Sequence, residues 1–430
     1  MGTHVWSLPN TRMSPPRLDR ASFAAPPRPL RIVHIGIGNF SRAHQAWYTM
    51  VADAASEWGI CAFTGRRPDV VEALGPQQGL YTLIERGPVS DSFQVIDVVS
   101  EVHPGTDLAR FARVVAAPET AVVTLTVTEA GYVPAGADPA ASVVGRLALA
   151  LVERSSRAPE PLAVVSCDNL HENGRVLRER VLEATDRLDA VAAGWIGREV
   201  SFVNTSVDRI TPRITEQDRV LVEQQLGFSD AAPVVTEPFS DWVLSGEFPA
   251  GRPRWELGGA RFVSDIEPWE LRKLWVLNGG HSLLAYMGLL RGHSTVAEAV
   301  ADPELVGALN DYWDLVQAQL PHADELDLDA YRRETFARFG NPRIGYPLTQ
   351  IAGDGLDKLR NRVMPVLAAA RAAGESTDAA ERIVRAWAQW LIDDPRRAAS
   401  DQNCGRVGAV LGRGAGDDTM HGLLELLETE

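Results

Sequence analysis

Residues 31–44 read Arg31-Ile32-Val33-His34-Ile35-Gly36-Ile37-Gly38-Asn39-Phe40-Ser41-Arg42-Ala43-His44. A β-branched apolar run breaks on two glycines and passes into a helical pattern that continues through Ala46, Trp47 and Met50. In a strand–turn–helix of this kind the first glycine permits the tight turn. The second lets the backbone approach a pyrophosphate, and the helix N-terminus offers free N–H groups and partial positive charge. Gly36, Ile37, Gly38, Asn39 and Phe40 are therefore candidates to hold a dinucleotide. The plainer alternative is an ordinary strand–helix turn, and position at the first strand of an α/β pattern favours the dinucleotide. Ser41 replaces a third glycine, which predicts slightly looser helix–strand packing.

Outward from this turn the pattern repeats. Gly59–Phe63 reads as a second strand and Pro68–Leu74 as a short helix. Ala121–Thr128 and Leu162–Ser166 are apolar runs typical of buried strands, and alternation with helical segments predicts a parallel sheet covered by helices. Past residue 266 long helical patterns take over, at Glu267–Arg291, Pro303–Gln319 and Thr377–Ile392. The expected organisation is a loose Pro- and Arg-rich arm over 1–29, an α/β domain over 30–266 and a mostly helical domain over 267–430. At the tip of the second strand no acid precedes the turn Thr64-Gly65-Arg66-Arg67. Arg66 is placed to pair with a 2′-phosphate, or else is one of two solvated charges at a helix entry, so NAD and NADP both stay open.

The segment from Glu267 to Ser282, EPWELRKLWVLNGGHS, carries the densest chemistry. On an ideal α-helix Asn278 lies roughly 140° round from Lys273 and His281 roughly 80°, so the three share one broad face. Each polar residue alone is better explained by a solvated or capped position. Together, among Leu274, Trp275 and Leu277, they suggest a site. A lysine in a partly dry site has its pKa lowered and can act as acid or base. Asparagine amides supply N–H donors for charge growing on oxygen without a metal. Gly279-Gly280 costs helix stability and suggests close approach of a ligand or backbone. Two further polar clusters end strand-like runs, Thr128–Tyr132 and Ser166–Asn169, where ligands collect in open α/β sheets.

Composition narrows the class. The 430 residues exceed the usual size of one core, so two domains are expected. A formal charge of −15 argues against nucleic acid and anionic membrane surfaces as partners. Cys61, Cys167 and Cys404 are scattered and form no zinc-ligand spacing, which fits a reduced, cytoplasmic protein without a metal. No run has the apolar length of a membrane span or the pattern of a secretory signal.

The ordered motifs resemble the polyol-specific long-chain dehydrogenase/reductase family of mannitol 2-dehydrogenase, arabinitol dehydrogenase and fructuronate (mannonate) reductase. They are Gly36–His44, Gln78–Thr82, Thr126–Tyr132, Ser166–Asn169, Val207–Pro212, Glu237–Phe239, Lys273-x4-Asn278-x2-His281, Arg338–Pro342 and Asp354-Gly355. The resemblance implies a Rossmann-type N-terminal domain, a mostly α-helical C-terminal domain and hydride transfer between NAD(P) and a secondary alcohol. Lys273 matches the family's acid/base, and Asn169 and Asn278 the amides that hold the developing alkoxide. His281 matches a substrate-orienting histidine and Asp208 a hydroxyl-binding carboxylate. Glu129 matches a glutamate that helps the lysine exchange protons with solvent. Gln350 stands where mannitol dehydrogenases tend to carry an arginine. A polyol of the mannitol or arabinitol kind is the first expectation and a hexuronate the alternative, with a monomer expected. A non-catalytic NAD(P) sensor and a zinc-dependent alcohol dehydrogenase are the readings from other classes.

Overall fold

The computed structural model describes residues 15–65, 68–127, 129–132, 138–412, 414 and 416–429, with the backbone alone at 129 and 130. Eleven strands are present among them. In chain order they are β1 Leu30–Ile35, β2 Gly59–Phe63, β3 Tyr81–Arg86, β4 Asp91–Ile96, β5 Val99–His103, β6 Val122–Leu125, β7 Leu162–Ser166, β8 Val200–Asp208, β9 Val234–Thr236, β10 Asp241–Ser245 and β11 Arg261–Phe262. Eight form one sheet in the order β11-β10-β8-β7-β6-β1-β2-β5. From β5 to β8 neighbours are parallel; β10 returns antiparallel to β8, with Asp241 opposite Asp208. The remaining three make a small sheet, β4-β3-β9.

Strand order reverses between β1 and β6, so the crevice at their carboxyl ends is the topological switch point where open α/β sheets bind ligands. Helices cover both faces. Leu108–Val115, Val143–Arg157 and Asn173–Asp186 pack on one side, around Phe111, Leu147, Leu151 and Leu177. Gln45–Ala52 packs on the other, where Tyr48, Trp242 and Trp255 are buried together.

The expected loose arm is corrected for its described part. Residues 20–23 form a helical turn, and Leu18 and Arg20 are buried. The Arg20 guanidinium donates to the backbone oxygens of Gln78, Ala25, Pro26, Asp97 and Val99 at 2.7–3.1 Å. Arg28 pairs with Asp53 at 2.9 Å and Asp97 at 2.7 Å. Pro and Arg composition reads as a tail, yet these arginines satisfy carbonyls and carboxylates that would otherwise be stranded.

From Glu267 onward the structure is helical and owns a separate core built around the helix Gly279–Leu290. Gly279 and Gly280 face protein here. A Cβ on Gly279 would lie 2.3 Å from the Tyr312 hydroxyl, and one on Gly280 3.1 Å from Leu309 Cδ1. The close approach expected of a ligand or a backbone at these glycines is made instead by side chains of the helix Pro303–Gln319. No described helix is long and apolar enough to cross a membrane.

Candidate active site

The glycine turn is built for close approach on one side only. Gly36 has φ +96°, and a Cβ there would sit 2.1 Å from Thr126 O, so only glycine fits. At Gly38 an added Cβ would meet nothing nearer than 3.7 Å and would project into open space. Gly36 and Ile37 spend their N–H groups on Phe63 O, and Gly38 spends its own on Ser41 Oγ at 3.0 Å. Ser41 therefore braces the turn. The first-turn N–H groups of Asn39 and Phe40 have no intrahelical acceptor and remain for an anion. Arg42, which the sequence reading passed over, is buried beneath: it bonds Gly38 O at 3.1 Å, the Asn39 side chain at 2.8 Å and Ala232 O. The Asn39 amide is thus turned into the protein. At the carboxyl ends of β1 and β2 a small cavity is lined by Ile35, Phe63, Thr64, Gly105, Val143 and Arg146. These features fit a dinucleotide. Arg66 lies outside the described residues, as does the Glu129 side chain.

The lysine helix enters this crevice from the other domain with an irregularity in its middle. Glu267–Arg272 is α-helical, Lys273–Asn278 is a π segment, and Gly279–Leu290 is α-helical again. The Gly279 N–H reaches back five residues to Leu274 O. An i→i+5 turn brings Asn278 round to the side of Lys273, closer than the 140° expected for an ideal helix, and such bulges recur at functional sites. Lys273 Nζ lies 2.7 Å from Oδ1 of Asn169, just past the end of β7. A lysine can only donate to that oxygen, so the Asn169 NH2 group is left facing outward. The Asn278 side chain makes no hydrogen bond with any described residue. His281 is buried against Phe339 and Tyr346, ring centroids 4.6 and 5.6 Å away, with Nε2 unpartnered.

Burial lowers the Lys273 pKa; Asp208 opposes the shift, while Arg362 and Arg338 add to it. Burial, with Arg338 and Arg362, pushes His281 down to about 3, so its ring is neutral at ordinary pH. Beneath Asn169, Asp168 accepts from the Tyr132 hydroxyl at 2.6 Å and Val127 N at 2.5 Å, and burial raises it to about 6.

Asp208, expected as a free acceptor for substrate hydroxyls, is already held. Arg338 donates to its two oxygens at 2.7 and 2.9 Å and to both oxygens of Glu237 at 2.9 and 2.8 Å. Burial works against the charge on Asp208, but the guanidinium overcomes it and holds the carboxyl below its ordinary value. Arg338 and Glu237 stood in quoted motifs, but nothing in their spacing signalled a bridge between the domains. Gln350 is exposed on the short helix Leu348–Ala352, and no contact brings it to Lys273. Among the described residues one trio has metal-ligand character, Cys61, Glu101 and His103 on β2 and β5, away from the lysine. Its carboxylate is already taken by Arg110 at 2.6 Å.

The comparisons agree with this architecture. The model of the mannitol dehydrogenase Rossmann domain matches residues 30–257, and that of the mannitol dehydrogenase C-terminal domain matches 265–403. D-mannonate oxidoreductase of Escherichia coli (strain K12) is 38% identical over 362 residues, covering 78% of this chain and 74% of its own length. The solved Pseudomonas fluorescens mannitol 2-dehydrogenase, a ternary complex with NAD and D-mannitol, superposes with a TM-score of 0.75 at 30% identity, covering 96% of this chain and 97% of that one. A substrate-free D-sorbitol dehydrogenase gives 0.81 at 28% identity, covering 87% and 85%. With both domain models matched in order and a relative this similar, the chain belongs to the mannitol dehydrogenase family.

Proposed function

We propose that this protein interconverts a secondary alcohol of an open-chain polyol or sugar acid with its ketone, using Lys273 as acid and base. Membership of the family makes it an NAD(P)-linked oxidoreductase. Bound across the glycine turn by the N–H groups of Asn39 and Phe40, NAD(P) would supply the hydride acceptor. Lys273 takes the hydroxyl proton, and its lowered pKa makes the neutral amine accessible. The amides of Asn169 and Asn278 donate to the oxygen as negative charge grows there. His281, neutral, offers Nε2 to a neighbouring hydroxyl.

One observation carries this reading: the amine of a partly dry lysine sits 2.7 Å from an amide oxygen at the sheet's switch-point edge. Reaction on substrates such as mannitol, arabinitol, sorbitol and mannonate, each with NAD and NADP, tests it by cofactor absorbance. Lys273→Ala should lose most turnover yet still bind cofactor. Near-normal turnover in that variant would overturn the mechanism, and cofactor binding with no turnover on any of them would favour a sensor. Action as a monomer in the cytoplasm belongs to the same proposal, with sedimentation as the check on the first.

A further inference from the structure

Arg362 ends the helix Gly355–Arg362 and reaches the π segment of the lysine helix. Its Nη1 lies 3.5 Å from Asn278 O and 3.5 Å from Ser282 Oγ, both at the outer limit of a hydrogen bond. A guanidinium has five N–H donors, so most of its capacity is unused. Among the described residues no carboxylate lies within ion-pair distance of it. Arg272 and Arg338, which bridge to Asp241 and Asp208 of the sheet domain, each hold at least one, and the buried Arg20, Arg42 and Arg154 are satisfied by close backbone oxygens that Arg362 lacks. The groups that act on it are the phenols of Tyr286, Tyr346 and Tyr312.

The charge around it is not balanced from elsewhere. Asp208 and Glu237 share Arg338, and Asp208 also acts on Lys273. Lys358, one helical turn before Arg362, is bonded only to Ile351 O at 3.0 Å, with Asp354 and Asp401 nearby. The neighbouring His281 ring is buried, and its Nε2 is unpartnered. The backbone beside Asn278 therefore carries one cation without a counter-ion. Burying such a cation unpaired is costly. A neutral polyol chain would not relieve that cost, whereas a carboxylate would accept two parallel bonds from the guanidinium.

We propose that Arg362, supported by Lys358, receives the terminal carboxylate of the substrate, so that the preferred substrate is a linear sugar acid. The proposal rests on the reading of Lys273 as the acid and base for the alcohol. The carboxylate is a spectator: the reacting carbon gives hydride to the nicotinamide, its hydroxyl gives the proton to Lys273, and no bond to the carboxyl group changes.

D-Mannonate and D-mannitol differ at one chain end, carboxylate against hydroxymethyl, and make the test. Wild-type kcat/KM should favour mannonate by about 100-fold, the scale of one charge-assisted pair. Arg362→Met should compress that ratio by about the same factor, mainly through KM for mannonate, and Arg362→Lys should restore part of it. Should Arg362→Met fail to fold, the Lys variant, which keeps the charge but not the fork, carries the comparison. A wild-type preference for mannitol, or an equal loss on both substrates in Arg362→Met, overturns the proposal and leaves the alcohol chemistry standing. Turnover of neither substrate by the wild type removes the reading beneath it and the proposal with it.

Discussion

Lys273 Nζ and Asn169 Oδ1 meet at 2.7 Å although 104 residues separate them, one on the helical domain and one at the tip of β7. The contact spans the crevice from both sides and fixes which way the amide points. It also ties the lysine's proton to the geometry of the sheet. Alcohol oxidation should therefore rise with pH along a limb whose midpoint lies below the ordinary lysine value of 10.5. Lys273→Arg cannot release a proton near neutrality, so it should abolish the limb and reduce kcat by roughly 10²–10⁴-fold. Asn169→Asp should shift the limb to higher pH, since an adjacent carboxylate favours the charged amine. A limb that survives in the arginine variant would refute the assignment.

His281 should stay uncharged. Its value of about 3 means that the imidazole does not titrate between pH 5 and 8. Nitrogen-resolved NMR of labelled protein should show one neutral tautomer across that range, and a change of state near pH 6.5 would contradict it. His281→Ala should raise KM more than it lowers cofactor affinity.

Arg338 holds two buried carboxylates across the domain boundary. Arg338→Met leaves both unpaired and should cost about 3–5 kcal/mol, read as a lower denaturation midpoint. The pH dependence follows from Asp208, whose folded pKa is depressed. In the wild type its contribution is present above about pH 4 and is lost as pH falls through the lower folded value. The variant should lack that acid-side loss. Equal stability of the two proteins at pH 7 would show that the bridge contributes nothing.

Asp168 shifts the opposite way. Its folded value of about 6 exceeds the ordinary 3.8, so its stabilising effect is complete below the unfolded value and is lost as pH rises through 6. The difference corresponds to about 3 kcal/mol at roughly 1.4 kcal/mol per unit. Melting temperatures from pH 4 to 7.5 should fall more steeply for the wild type than for Asp168→Asn. Parallel curves would place the titration elsewhere.

The glycine turn, β7 and the helices Pro303–Gln319 and 378–393 were legible because each is local: apolar period, turn residues and caps lie within a few positions. Lys273, Asn169 and His281 were legible as candidates for the same reason. What sequence did not show depends on partners far along the chain. Arg338 finds Asp208 130 residues away and Arg20 finds Val99 79 away, and no periodicity encodes such pairs. The π segment escaped because its residues, KLWVLN, read like any apolar helical turn. Arg362 escaped because only the folded surroundings show that no described carboxylate pairs with it.

That π segment is a matter of phase. The helix before it is tied to the sheet domain by Arg272 on Asp241, and the helix after it is buried on nearly every side from Gly279 to Tyr286. Neither end is free to rotate. A π turn takes up about one residue more than an α turn, so the segment already absorbs an extra position without turning its two ends out of step. Lengthening 273–278 by one further position would rotate one end against the other by about 100°. Lys273 and His281 would then no longer look into the same space. The molecule should accept exchanges of side chain at Leu274 far better than the gain of one peptide unit there, because what this stretch stores is a count of residues.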